Sequence, residues 1–368
     1  MAKIDIGKYD LSLIFVTSIA VIFGAFMVFS SSAVMADIRY SSPYMFFLKQ
    51  LLWLVFGFIA MFITAFLINY KFYQKYSKLI YAITMVFLAA VLAVGVSSHG
   101  AKRWLHLGFI TFQPSELAKF AAVAVTANFI AKKKEIIAEW EGLIVPVILL
   151  VIMIIPVFLE RDLGTPVLIA SVCGAMLICA GIKIEAIAAA VIIGVLGIAA
   201  AIIKAPYRLA RFKDYLNSFV NIDAASYQVK TALYAFGSGG FFGKGLGKSE
   251  LKMMYLPEAH TDFIFPIVGE ELGFLFGVIP IILFFLFIFF KGIKISKNAP
   301  DDFARYLALG VTFLIVFQAI INMSVATGLF PAKGLPLPFI SFGGTSLLIT
   351  MAEMGILINL SQYSKRKA

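Results

Sequence analysis

The chain reads as an all-α membrane protein, a polytopic bundle of about ten transmembrane helices, and three observations point there. Of its 368 residues 61% are hydrophobic and 14% charged, against about half and about a quarter in soluble chains. Mean hydropathy is +0.97. The apolar residues fall in blocks long enough to cross a bilayer, which takes about 20 residues per helix. The two cysteines, Cys173 and Cys179, lie within one such block, and neither a disulfide framework nor a metal-cysteine motif is present.

Ten spans are predicted, at 11–34, 46–68, 79–97, 115–131, 142–159, 165–182, 185–203, 263–290, 303–327 and 340–361. The first is too long for the apolar core of a signal peptide, and no small-residue cleavage pattern follows it, so it is read as a spanning helix. The sixth and seventh are separated by a few residues around Lys183, which predicts a tight hairpin. No Gly/Ser linker divides the chain, which is read as one domain over 1–368 with a long outer loop at about 204–262. Orientation follows the Lys/Arg bias of short loops. With the N-terminus inside, the inner segments carry sixteen Lys/Arg and the short outer segments six. Both termini are therefore expected in the cytoplasm. The net charge of +11 reads as topology and attraction to anionic lipid, not as nucleic-acid binding.

The polar residues that topology leaves unexplained collect on the outer side, among them His99, His106 and His260. Gly100–Lys119 reads GAKRWLHLGFITFQPSELAK. Pro114 precedes a helix there, Ser115 is placed to cap it, and Glu116 favours its positive end. The segment is either helix capping with Lys119 as a snorkelling side chain, or a place where Arg103 and Lys119 bind an anionic ligand. Glu160-Arg161-Asp162-Leu163-Gly164-Thr165 joins the fifth and sixth spans; Asp162 either caps the sixth or pairs with a lysine in a cavity.

The long loop opens with Leu209, Phe212, Leu216 and Phe219 at helical spacing, with Arg208, Arg211 and Lys213 between them. That pattern suits a helix lying in the headgroup plane. Gly237–Ser249, GSGGFFGKGLGKS, is not a phosphate-binding P-loop, because Phe242 stands five residues before Gly247-Lys248 where glycine is needed. It is read as a flexible glycine-rich loop with backbone amides open to an anion.

Leu256–Gly273 reads LPEAHTDFIFPIVGEELG. Asp262, flanked by Glu258 and His260, stands where the eighth span begins, open to water with an apolar wall on one side. A general base needs such a place; capping is the alternative. Glu270 and Glu271 follow about two turns down, and carboxylates inside a membrane are functional candidates by default. In Gly334–Ser346, GLPLPFISFGGTS, Ser341 and its small neighbours admit either a ligand or close helix packing, and Lys333 lies beside them.

Together, GAKRW, FQPSELAK, the Asp-Leu-Gly-Thr loop, Tyr227-Gln228, LPEAHTDFIF with GEELG, and PLPFISFGGTS resemble the SEDS family, the FtsW/RodA/SpoVE group of bacterial cell-wall polymerases. The resemblance covers nearly the whole chain and is nearest the division-type FtsW branch. Three departures stand out: Glu160-Arg161 before Asp162 in place of Gln/Glu-Pro, no proline after Arg211, and Phe342 where tyrosine is common.

The resemblance implies peptidoglycan glycosyl transfer, in division or elongation. Lipid II would be polymerised at the outer face of the cytoplasmic membrane, with a class B penicillin-binding protein, a transpeptidase, as partner. It maps an essential aspartate onto Asp262, a conserved lysine and aspartate of a central cavity onto Lys119 and Asp162, and an arginine onto Arg103. Asp262 is then expected to take the acceptor hydroxyl proton, with inversion at the anomeric carbon. Arg103 and Lys119 are expected on the pyrophosphate, joined by Arg208, Arg211, Lys333, His260 and Ser341, and Asp162 to orient Lys119. Glu116, Glu258, Glu270 and Glu271 support the site. A divalent cation, Mg2+ or Mn2+, is compatible with the chemistry, and no metal-ligand spacing establishes one. Gln318, Asn322, Glu270, Glu271 and Glu353 within spans admit a rival reading as a lipid II flippase. A non-catalytic scaffold for the transpeptidase is a third.

Overall fold

A computed structural model describes residues 8–98, 101–108, 110–133, 135, 137, 139–160, 162–204, 206–219, 221, 225–252, 256, 259–331 and 334–364. Helices stand at all ten expected spans. In chain order, α1 is Leu11–Tyr40, α2 Met45–Phe62 followed by a π-turn at Ile63–Leu67, and α3 Tyr70–Val94. α4 is Pro114–Lys132, α5 Trp140–Leu159, α6 Gly164–Cys179 and α7 Ile184–Ile203. Among the described residues, seven helices are long and apolar enough to cross a membrane, and α6 is a shorter apolar helix. The protein is a polytopic helical membrane protein.

Local chemistry sets the helix ends. Asp10 caps α1 by accepting from the Ser12 amide at 3.1 Å, and Asn69 caps α3 through the Lys71 amide at 3.0 Å. Pro114 opens α4 as its first residue, where a missing N–H costs nothing and its fixed φ suits the helix. Ser115 is therefore inside the helix, not its cap, and its hydroxyl accepts from the Gln113 side chain at 3.0 Å. The turn between α6 and α7 is four residues long, with Gly181 at φ 91°, as the tight hairpin required.

Two departures from a plain helical bundle matter for the site. Between α3 and α4 runs a small antiparallel sheet, ordered β1 (Val96–Ser98), β2 (Ala101–Leu107), β3 (Ile110–Phe112). Ala101–Trp104 of the GAKRW motif thus lie on a strand. The long segment after α7 also holds two helices, α8 (Pro206–Ser218) and α9 (Tyr227–Gly239). α8 covers the amphipathic stretch read from the sequence; α9 was not foreseen.

α9 packs along α10 (Ile264–Gly273), and the chain between them turns back as a glycine-rich hairpin. α10 is not continuous with α11 (Ile279–Lys297): a π-turn at Phe274–Val278 separates them. Gly273 has φ 75°, which glycine adopts freely. The break frees main-chain groups to pair with the hairpin. Lys244 and Gly245 amides donate to Glu270 and Glu271 carbonyls, both at 2.9 Å, and Phe274 and Leu275 amides donate to Gly240 and Phe241 carbonyls at 2.9 and 3.0 Å. Gly243 and Gly273 meet backbone to backbone, leaving no room for a β-carbon on either. Irregular backbone at membrane depth is tolerated when protein groups satisfy it.

α12 (Asp302–Ala326) and α13 (Gly344–Ser364) form the centre, mostly buried along their length. α13 lies against α2, where Gly355 leaves room for Thr64, whose hydroxyl donates to the Ala352 carbonyl at 2.9 Å. Small residues permit such close approach in membrane bundles. The segment leading into α13 is buried too. Leu335, Leu337, Phe339 and Ile340 are all 2% exposed or less, so this stretch dives into the bundle instead of lying on its rim. Gly24 of α1 receives it: a β-carbon there would stand 2.6 Å from the Phe339 carbonyl oxygen and 2.7 Å from Ile340 Cα.

Candidate active site

One end of the bundle gathers the start of α4, the end of α5, the starts of α6 and α10, the end of α12 and the buried segment before α13. Asp262 stands two residues before α10 and is half-buried. Its main-chain carbonyl accepts from Asn322 Nδ2 at 2.8 Å. The same Nδ2 donates to the Leu335 carbonyl at 2.7 Å. The carboxylate lies against Gly334, where a β-carbon would be 2.6 Å from Asp262 Oδ2. Gly334 thus leaves the space that the carboxylate occupies.

Lys119, 2% exposed, lies one turn into α4. Its ammonium pairs with Glu116 at 2.8 Å and donates to Gln318 Oε1 at 2.6 Å. Gln318 in turn donates to the Pro336 carbonyl at 2.8 Å. Lys119 and Asp262 are therefore tied to adjacent residues of one segment, Gly334–Pro336, through two amides on α12. Charge is buried here at a cost, and pairing with hydrogen bonds offsets it.

Asp162 does not meet Lys119. It accepts from the Gly164 amide at 2.8 Å, the Thr165 amide at 3.4 Å and the Thr165 hydroxyl at 2.7 Å. It caps α6, satisfying donors that a helix start leaves over. The residues that orient Lys119 are Glu116 and Gln318. Arg103 projects from β2, and its Nε donates to the Glu160 carbonyl at 3.3 Å. The Glu160 carboxyl is buried beside Asp162, Arg103 and the Ser115 hydroxyl. Burial foremost, then the neighbouring Asp162, push that carboxyl up to about 8 against the pull of Arg103. Glu160 lies just past the end of α5 and enters the site unannounced by its motif.

His260 is buried between Phe46 and Phe342, with ring centroids 4.6 and 5.6 Å away. Its carbonyl accepts from the Phe342 amide at 2.9 Å, so it joins the approach to α10 to the approach to α13. Ser341 turns inward: its hydroxyl accepts from the Leu337 amide at 2.8 Å and its carbonyl from Gln50 Nε2 at 3.4 Å. It braces the buried segment.

Glu270 and Glu271 are apart from this group. Glu270 lies six residues into α10, about 9 Å along its axis. It accepts from Lys244 at 3.1 Å, from Ser249 at 2.5 Å and from the Glu250 amide at 3.2 Å. Glu271 accepts from Lys252 at 2.7 Å and from Ser30 of α1 at 2.7 Å. Both carboxylates hold the glycine-rich hairpin. Its Gly243, Lys244 and Gly245 amides are committed to main-chain carbonyls, so they are not presented to an anion as the sequence reading expected.

Glu258, Lys333 and His99 lie outside the described residues, as do the side chains of Arg208 and Arg211. Among the described residues no group of three or more His, Cys, Asp or Glu side chains is arranged to hold a metal ion. Gln318 and Asn322 carried a signal in the sequence: two amides spaced i, i+4 in an apolar helix share one face. The same signal admits a transport reading, because sequence gives no view of what the face meets.

The cell cycle protein family model named for FtsW, RodA and SpoVE matches residues 10–366. The chain is 38% identical over 361 residues to stage V sporulation protein E of Bacillus subtilis, covering 97% of this chain and 98% of that protein. It is 36% identical over 359 residues to a probable peptidoglycan glycosyltransferase FtsW of Trichlorobacter lovleyi, covering 97% and 94%. Among solved structures, a chain of a peptidoglycan synthase complex in which polymerization and crosslinking are coordinated superposes with a TM-score of 0.78. That match has 23% identity and covers 96% of this chain and 97% of the other; it bears on the fold alone.

Proposed function

The chain belongs to the FtsW/RodA/SpoVE family of cell cycle proteins and is a peptidoglycan glycosyltransferase, and on that premise we propose that it polymerises lipid II with Asp262 as the proton acceptor. The observation that carries the reading is the seat of Asp262. Its carboxylate is half-buried at the head of a span, with its peptide clamped by Asn322 and a glycine opposite.

In the reaction the acceptor sugar hydroxyl attacks the donor anomeric carbon. The new C–O bond forms as the bond to the lipid pyrophosphate breaks. The hydroxyl proton passes to the Asp262 carboxylate, and the bond electrons leave with undecaprenyl pyrophosphate. One displacement inverts the anomeric carbon. A positioned base contributes about 10²–10⁴-fold. Lys119 and Arg103 supply fixed positive charge for the departing pyrophosphate, and a cation held in place before reaction stabilises developing charge without reorganisation. The described residues do not make up a metal site by themselves.

Asp262 faces the extracytoplasmic side of the bacterial cytoplasmic membrane in this reading, with both termini in the cytoplasm, because that orientation puts most short-loop Lys/Arg inside. A class B penicillin-binding protein is the expected partner, consistent with the synthase complex whose chain shares this fold.

The test is lipid II polymerisation by the purified protein with its transpeptidase, resolved by glycan length. Wild type is expected to make long glycan and Asp262→Asn none. Full product from Asp262→Asn would remove Asp262 from the mechanism. No product from either would return the flippase and scaffold readings.

A further inference from the structure

We propose that Gln318 and Asn322 are positioning residues of the transfer reaction, holding the Lys119 ammonium and the Asp262 peptide against the same stretch of chain. The proposal rests on the reading of Asp262 as proton acceptor.

The two amides stand one turn apart on α12 and share a face. Both are buried, at 1% and 2% exposure, where an amide left idle is costly. Each spans two elements. Gln318 accepts from Lys119 of α4 at 2.6 Å and donates to Pro336 at 2.8 Å. Asn322 donates from one nitrogen to Asp262 at 2.8 Å and Leu335 at 2.7 Å, while its Oδ1 accepts nothing. The donations alone orient it.

The chain they grip needs such donors. Pro336 and Pro338 have no N–H, so this segment cannot build a regular ladder of its own, and its buried carbonyls must find partners elsewhere. A purely structural role would end there. The geometry goes further, because the far ends of the two amides are the proton acceptor and the buried cation. The segment they hold also presents Gly334 to the Asp262 carboxylate, so close that a β-carbon there would stand 2.6 Å from Asp262 Oδ2 and displace it. The distance between base and cation is therefore set by two side chains one turn apart on a single rigid helix.

Steady-state lipid II polymerisation by the full-length protein with its transpeptidase tests this, using Asn322→Asp, Gln318→Glu and Gly334→Ala beside Asp262→Asn. Asn322→Asp keeps the shape and removes both donations. Gln318→Glu keeps an acceptor for Lys119 and loses the donation to Pro336. Gly334→Ala displaces the carboxylate from the other side without touching α12. Each is expected to lower kcat by about 10- to 100-fold, as misplacement by about 1 Å does, with KM within about twofold. Near-wild-type kcat in Asn322→Asp and Gly334→Ala overturns the proposal, and so does a loss confined to KM. Should Asn322→Asp not elute as a single species, the other two variants decide. Activity in Asp262→Asn would instead overturn the base assignment, and the proposal with it; an inactive Asp262→Asn beside fully active positioning variants separates the two failures.

Discussion

A carboxyl group kept out of water changes what pH does to a protein, and Glu160 is such a group here. Buried beside Asp162, it is held up to about 8. The sign follows from linkage. An acid whose folded pKa is raised binds its proton more tightly in the folded state, so folding is favoured most below the unfolded value and progressively less as pH rises toward 8. Glu160→Gln keeps the neutral shape without the titration. Its thermal midpoint in detergent is expected to match wild type near pH 4.5 and exceed it by several degrees at pH 9; parallel curves across that range would contradict the assignment. At this scale the sequence singles out candidate residues and says little about what they touch. Asp262, Lys119 and Arg103 stand out as candidates by motif and position. The pairing of Lys119 does not: Asp162 was expected and Glu116, three residues away on the same helix, is found. Helical spacing alone made that pair available, but choosing between two carboxylates needed the third dimension.

At the scale of elements, the helices at the ten predicted spans, seven of them among the described residues long and apolar enough to cross a membrane, were plain in the hydropathy because lipid imposes a length and an apolar composition that short stretches of sequence display directly. The elements that were missed are those for which lipid is not the judge. The β1–β3 sheet is only three strands, two of them three residues long, too short for alternation to register. α9 and the hairpin after it carry glycines and lysines that read as loop, since their partners, Glu270, Glu271 and Ser30, come from α10 and α1. The buried segment before α13 was read as a rim feature for a related reason: its packing partner, Gly24, is more than 300 residues away. Gly24→Val should destabilise the protein by about 1–3 kcal/mol, the usual cost of overpacking, seen as a lower thermal midpoint. An unchanged midpoint would mean that α1 and the segment do not meet as closely as described.

For the whole molecule, the arrangement separates two kinds of buried charge. At the end of the bundle that carries Asp262, Lys119 is buried with Glu116 and Gln318. Farther along α10, Lys244 with Glu270 and Lys252 with Glu271 fasten one part of the protein to another. The second kind has a consequence for how the chain is made. Synthesis is vectorial: Lys244 has Glu250 within the same hairpin and gains Glu270 only later, and Lys252 emerges before Glu271, the carboxylate that neutralises it. Until α10 has been threaded into the bilayer, the hairpin carries unmatched positive charge that hydrocarbon rejects. It must therefore wait in water and descend only after the following span is in place. A nascent chain stalled before residue 270 is expected to leave the thiol of Ser249→Cys open to a membrane-impermeant thiol reagent, and a released full-length chain, in which position 249 is buried, to shield it. Equal labelling of the two would mean that the hairpin enters with α9 unaided.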